Sequence, residues 1–179
     1  MDPKTDDITM IGFMVANDRE KVIQAKPEML AEFDRRVDHK HYAPMNFYPI
    51  EITKKYQEEA AKIIYGDAGP ESIYKMGQWD YRMIIDTQLG KVLKSLYLKD
   101  LYTTIHALPK MISSSSKGFR VRVEDSGERE VHVIFENDPY LETYFLGLFT
   151  EALKDQFQGK GSVTVQNHAD GTRVFIVKW

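Results

Sequence analysis

Residues 113–136 read SSSSKGFRVRVEDSGEREVHVIFE. Before this stretch the apolar residues recur at helical spacing; within it they begin to recur every second residue. Four serines and a glycine mark the change of period, so 113–118 is predicted to be a loop and the internal boundary of the chain. Beyond it Phe119, Val121 and Val123 fall on one face, and Arg120, Arg122 and Glu124 on the other. SGER turns the chain, and Val131, Val133 and Phe135 return on one face. That alternation predicts a half-buried β-hairpin.

Downstream, Pro139 sits at the first position of a predicted helix, 139–158. Its stripe is Leu141, Phe145, Leu148 and Ala152, with Tyr144 and Phe149 beside it. SVTVQ (162–166), a turn at NHADG and TRVFIVKW (172–179) predict a second hairpin. The last strand is apolar on both sides, which predicts a central strand covered twice, the second cover being the N-terminal helices or another subunit.

Upstream the pattern is helical. PEMLAEFDRRVDH (27–39) places Met29, Leu30, Phe33 and Val37 on one stripe, and IEITKKYQEEAAKIIYG (50–66) places Ile52, Tyr56, Ala60, Ile63 and Ile64 on another. KHYAPMNFYP (40–49) is a loop broken by two prolines. A short helix runs from Pro70 to a stop at Gly77, and a long one spans 78–98, where Gly90 marks a close helix crossing. A further helix spans 99–112, capped at Asp100. ITMIGFMVA (8–16) is a continuous apolar run, equally a buried strand or the first turns of a helix. The expected fold is therefore α+β. A mainly helical subdomain (1–112) packs on a four-stranded antiparallel sheet subdomain (113–179) with a crossing helix, ordered hairpin-helix-hairpin, in one compact unit.

Bulk composition narrows the function. The 179 residues carry 24 basic and 27 acidic side chains, a formal charge of −3, with no long run of one sign. A nucleic-acid partner, which favours a basic face, is not expected. There are no cysteines, so thiolate metal sites, disulfides and cysteine nucleophiles are excluded. The acidic start MDPKTDD is unlike a signal peptide, and no apolar run approaches the roughly 18 residues of a membrane span. A cytoplasmic protein is expected.

Motifs for catalysis are missing. There is no nucleophile elbow, no phosphate-cradling glycine loop and no His-Glu-x-x-His, so no catalytic residue is assigned. Asp38, His39 and His41 in DHKH lack a third and fourth ligand at recognisable spacing, so no metal site is expected. Tyrosines are plentiful on the predicted helices. Each offers an apolar body and one hydrogen bond, which suits a small-molecule pocket, a protein interface or the rim of a core. DLYTTIHALPKM (100–111) adds His106 on an apolar helix.

FYPIEITKKYQEEAAKIIYG, MGQWDYRMIIDTQLGKVL, LPKM, LETYFLGLFTEAL and the closing DGTRVFIVKW together resemble an uncharacterised bacterial family of about this length. That family is abundant in myxobacteria and related deltaproteobacteria and has no assigned activity. The resemblance covers roughly residues 45 to 179, through the order and spacing of loose motifs. More distantly the order is similar to the haem nitric-oxide/oxygen-binding domain, the vinyl-reductase ligand-binding domain and Bet3-type trafficking subunits, which share an α+β layout. The haem domain's iron-binding histidine closes an Asn-Leu-His motif. Here the matching tripeptide is DLY, so the resemblance puts Tyr102 at the ligand position, with His106 one turn later. The haem domain's Tyr-x-Ser-x-Arg propionate anchor has no counterpart in VHVIFENDPYL. With the axial donor changed and the anchor lost, no cofactor is expected.

These readings converge on a non-enzymatic sensory or adaptor module in bacterial signalling. It is expected to bind a small apolar or aromatic molecule, or a protein partner, where helices meet sheet. Tyr81, Tyr102, His106 and Tyr144 are the pocket candidates, and a homodimer is an expectation. The alternatives are a haem-based gas sensor and a small-molecule enzyme without a local motif.

Overall fold

The computed structural model describes residues 8–86, 101–157 and 160–179. Strand β1 (Thr9–Ile11) passes directly into helix α1 (Gly12–Ala25); a 3-10 turn (Pro27–Met29) leads into α2 (Leu30–Val37). Then come β2 (Phe47–Pro49), α3 (Ile50–Tyr65), α4 (Pro70–Asp86), α5 (Leu101–Ser115) and β3 (Ser116–Lys117). The chain closes with β4 (Arg120–Gly127), β5 (Glu130–Glu136), α6 (Glu142–Phe157), β6 (Ser162–Asn167) and β7 (Arg173–Lys178). The fold class is α+β, as expected. Among the described residues no helix is long and apolar enough to cross a membrane.

Two antiparallel sheets form. The larger has the order β4-β5-β7-β6, and the smaller β2-β1-β3. Strand parity behaves as the alternation requires. Val123, Val133, Phe175 and Val165 form one cross-strand row, and Val131, Val177 and Val163 another. This face meets α6, where Phe145 lies 4.5 Å from Phe135 and Phe149 lies 5.5 Å from Phe175, between ring centroids. Strand β7 is central. Its outward residues Val174 and Ile176 are only half-buried, because the N-terminal helices pack on α6 rather than across this face.

Helix α6 is therefore buried on two sides, by the sheet and by α4. The α4–α6 contact is built on paired glycines. A Cβ at Gly77 would meet the Tyr144 carbonyl oxygen well inside van der Waals contact, and a Cβ at Gly147 would meet the Tyr74 carbonyl oxygen likewise. This corrects the expected helix stop at Gly77. The residue lies inside α4, which runs on to Asp86, and its missing side chain serves the crossing instead of a turn. Gly90, the rest of the expected helix over 78–98, and the cap at Asp100 lie outside the described residues. Helix α4 begins where Asp67 Oδ1 accepts from the Gly69 amide at 2.7 Å and the Ser72 hydroxyl at 2.8 Å.

The serine run is not a loop. Helix α5 continues through Pro109 to Ser115, and Ser116 and Lys117 form β3. The hydroxyls of Ser113, Ser114 and Ser116 donate back to the carbonyls of Lys110, Met111 and Ile112 at 3.0, 2.7 and 2.8 Å. That local bonding lets a serine-rich stretch finish a helix. Strand β3 then pairs with β1, tying the second half of the chain to the first. The ambiguous 8–16 run is both things in turn, three residues of strand and then helix. The loop before β2 covers the start of α1, with the Gly12 and Phe13 amides donating to the Asn46 and Pro44 carbonyls at 2.9 and 3.0 Å. Leu141, placed on the α6 stripe by spacing, precedes the helix and is 52% exposed.

The crossing makes an unusual prediction for alanine. Gly→Ala in a helix ordinarily stabilises by about 1 kcal/mol. Here overpacking against backbone, typically about 1–3 kcal/mol or more, outweighs that gain. Gly77→Ala and Gly147→Ala are each expected to lower the urea midpoint; a raised midpoint for both would show that the helices do not touch there.

Candidate functional site

The crossing of α4 and α6 delivers a polar group to the interior. Asp80 on α4, Tyr144 on α6 and Asn17, Asp18 and Lys21 on α1 are all buried. Lys21 is fully inaccessible, and its Nζ lies 2.5 Å from Asp18 Oδ1 and 2.7 Å from Asp80 Oδ1. Asp80 Oδ1 also accepts from the Asn17 amide, and Asp80 Oδ2 accepts from the Tyr144 hydroxyl at 3.1 Å. Tyr140 stacks on Tyr144 at 5.0 Å, with its own hydroxyl buried and without a hydrogen-bond partner among the described residues.

Two buried carboxylates share one buried ammonium, so the charges do not cancel. Burial pushes the Asp18 carboxyl up to about 6, with Lys21 opposing and Asp80 adding to the shift. Burial works against the Lys21 ammonium, but Asp18 and Asp80 more than offset it and the net shift is upward. Burial, and then the neighbouring carboxylates, hold Tyr140 and Tyr144 well above the ordinary phenol range. Asp138, just before α6, is also pushed up to about 6 by burial, against the pull of the Tyr140 amide and Arg173. Arg173 Nη1 donates to Asp138 Oδ2 at 2.6 Å and to the Tyr140 carbonyl at 2.9 Å, fixing the lead into α6 to β7.

The four pocket candidates fall in three places. Tyr144 belongs to the buried ion group. Tyr81 is buried nearby on α4 and donates to Asp155 Oδ2 at 3.0 Å; burial raises its phenol, and Asp155 adds to the rise. Tyr102 and His106 lie together on the outer side of α5. Tyr102 is 46% exposed and donates to Asp125 Oδ2 at 3.1 Å; His106 Nε2 is 3.0 Å from Asp125 Oδ1. Their rings sit 4.3 Å apart. In DHKH, Asp38 ends α2 in the left-handed region and His39 Nδ1 lies 2.8 Å from the Tyr56 hydroxyl. Among the described residues no group of three or more His, Asp or Glu is arranged to hold a metal ion.

A cleft of about 680 Å³ opens between α1, α3 and α4, bordered by Glu20 and Gln24, by Tyr65, and by Trp79 and Met83. It lies within the helical half, beside the ion group, and not at the helix–sheet contact. None of the four candidates lines it. On its α4 wall, Arg82 turns to Glu151 of α6, with Nε and Nη2 at 2.7 and 2.6 Å from Oε1, and Gln78 Nε2 donates to Glu151 Oε2 at 3.1 Å.

Sequence reasoning missed Asp18, Lys21, Asp80 and Trp79. For Asp18 a signal existed: Val15, Asp18 and Val22 stand at three-and-four spacing, so a carboxylate occupies a core position of an amphipathic helix. A charge in that register demands a buried partner.

The family described as Protein of unknown function (DUF2378) matches residues 10–179. No curated protein matches the chain. Among solved structures, one concerned with modulating haem redox potential through protein-induced porphyrin distortion aligns with a TM-score of 0.71 at 14% identity, covering 95% of this chain and 100% of that one. A second, concerned with haem distortion in the H-NOX family, gives 0.67 at 15% identity, covering 95% of each chain. An Fe(II) unliganded H-NOX mutant from K. algicida gives 0.60 at 12%, covering 94% of this chain and 96% of that one. At such identities the likeness is one of fold.

The ion group carries a pH prediction. A carboxyl raised from 3.8 to about 6 on folding binds its proton more tightly in the folded state. Its stabilising effect is present in full below the unfolded value and is lost as pH rises through about 6. Wild type is therefore expected to gain stability relative to Asp18→Asn as pH falls from 7 to 4, on the order of 2 kcal/mol across the window. Urea unfolding of both proteins at each pH measures it; a difference independent of pH would place Asp18 in water.

Proposed function

From the premise that the chain belongs to the family Protein of unknown function (DUF2378), we propose that it is a non-enzymatic sensory or adaptor module that takes a small, partly aromatic molecule in the α1–α3–α4 cleft. The observation that carries this reading is the cleft itself. Its volume of about 680 Å³ falls in the range of ligand pockets, and the rings of Trp79 and Tyr65 with the Met83 side chain supply apolar walls. Its position supports a sensory role. The α1 wall is joined to α4 by the Lys21–Asp80 ion pair, and α4 is locked to α6 by the glycine crossing. Widening the cleft therefore strains a charged contact in the core, so occupancy is felt by α6 and the sheet behind it.

The likeness in fold to H-NOX structures raises the haem reading directly. A haem does not fit the described residues. All five histidines lie outside the interior: His39 bonds Tyr56, His106 bonds Asp125, His132 bonds Glu130, and His41 and His168 are exposed. Tyr102, at the position the resemblance assigns to the iron ligand, is outside as well, with its hydroxyl committed to Asp125. The space between α4 and α6 is taken by backbone contact and by the Asp80–Tyr144 hydrogen bond.

Two measurements test the reading. An uncharged phenylnaphthylamine dye is expected to show a saturable fluorescence rise on the wild-type protein and to lose affinity on Trp79→Ala; no saturable rise would remove the ligand cleft. Haemin added to the protein and passed over a sizing column is expected to leave no stoichiometric Soret band. One haem retained per chain would restore the gas-sensor reading.

A further inference from the structure

The two edges of the larger sheet are unequal. Strand β4 carries Arg120, Arg122, Glu124 and Asp125, its ladder to β5 shifts register between Asp125 and Gly127, and α5 reaches it through Tyr102 and His106. Charge, a bulge and a covering helix are devices that stop a free edge from pairing. Strand β6, SVTVQN, has neither a charged residue nor a proline nor a register shift, and among the described residues only β7 pairs with it. Which of its groups point outward follows from the hairpin. The His168 amide donates to the Thr172 carbonyl at 2.9 Å, closing a hydrogen-bonded pair. Bonded and non-bonded pairs alternate along an antiparallel ladder. Ser162, Thr164 and Gln166 therefore bond β7, while Val163, Val165 and Asn167 turn their N–H and C=O groups to the open edge. The Trp179 amide, donating to the Arg129 carbonyl at 3.1 Å, gives β7 the same phase. Val163 and Val165 are only half-buried on the α6 face, so that helix does not close over the edge.

We propose that β6 is an interface between two copies of this chain, pairing antiparallel with β6 of the second copy about a two-fold axis at Val165 and joining the two larger sheets into one. This register alone uses all three outward residues: Val165 bonds Val165 of the second copy, and Val163 bonds its Asn167. The side chains agree with it. On the α6 face valine meets valine. On the other face Thr164 comes opposite Gln166 of the second copy, so no like charges are opposed. Lys160 lies just before the strand, whereas Asp170 and Glu142, which accepts from Asn167 Nδ2 at 2.5 Å, lie at its far end. Antiparallel pairing sets cation against anions at both ends. The strand is thus complementary to itself, as a two-fold interface requires, and this favours a second copy over a foreign strand.

Sedimentation equilibrium of the full chain from about 5 to 500 µM, the range suited to a small interface, is expected to show the mass rise from one chain toward two. Val165→Pro removes an outward N–H without removing a bond to β7, which an edge strand tolerates. It is expected to weaken association by about tenfold or more while the urea midpoint changes little. Thr164→Lys with Gln166→Lys sets like charges opposite each other across the axis and is expected to keep the chain single, as is Thr164→Glu with Gln166→Glu. Mixing these two double variants is expected to restore the two-chain mass. A folding defect would not be repaired by mixing, so this arm decides if the proline variant does not fold. A single-chain mass for wild type at every concentration, with the edge left to an unrelated strand, overturns the proposal. So does a two-chain mass that survives the proline and the double variants, or a mixture that stays single.

Discussion

Two backbones that touch without side chains between them organise this molecule. Where α4 crosses α6, Gly77 faces the Tyr144 carbonyl and Gly147 faces the Tyr74 carbonyl. Helices that approach this closely cannot slide, because any residue other than glycine moved into the contact meets backbone rather than a yielding side chain. The register of every pair along the two helices follows. Asp80 stands at Tyr144, Arg82 and Gln78 at Glu151, and Tyr81 at Asp155. The same closeness frees the opposite face of α6 to lie on the sheet, where Phe145 and Phe149 meet Phe135 and Phe175.

Into the corner left by this crossing α1 inserts a lysine. A buried ammonium is costly unless it is paired and hydrogen-bonded, and Lys21 has carboxylates from two different helices to satisfy it. Rotating α1 by one residue, or shifting it by a turn, would part Lys21 from Asp80, while Asp18 travels with Lys21 on the same helix. A purely aliphatic interface tolerates such slips; an ion group does not. Burial displaces the Asp18 carboxyl upward, with Asp80 adding to the shift, and burial together with the neighbouring carboxylates keeps the phenols around it protonated. The cleft on the neighbouring side of α1 shares a wall with this group, so the chemistry of the interior and the geometry of the opening are linked through one helix.

The C-terminal third was legible element by element. Alternation in RVRVED and EVHVIFE, the turn residues and the doubly apolar last strand lead to a hairpin, a helix and a hairpin closing into one antiparallel sheet with β7 at its centre. Local signals mislead where tertiary contacts override them. Gly77 reads as a helix end because glycine is poor in a helix, yet a facing helix gives the missing side chain a purpose. The serines read as a linker because their hydroxyls compete with backbone bonding, yet those hydroxyls here bond carbonyls one turn back and complete α5. Tyr102 and His106 read as pocket residues because they sit on an apolar helix. In the fold both lie on the outer side of that helix against Asp125, a strand residue that spacing along α5 does not reveal.

By itself the sequence determined what has a period. Amphipathic helices, alternating strands, the α+β class and the lack of thiolate chemistry are properties of neighbouring residues and of composition. Only the tertiary structure decided which helices touch, and therefore which charges are buried. Asp18, Lys21 and Asp80 are unremarkable letters on two helices, 59 residues apart at the Lys21–Asp80 pair and brought within 2.7 Å. The cleft has the same origin. Trp79, Tyr65 and Glu20 lie on separate helices, and a concave surface exists only once those helices are set at fixed angles by contacts made elsewhere.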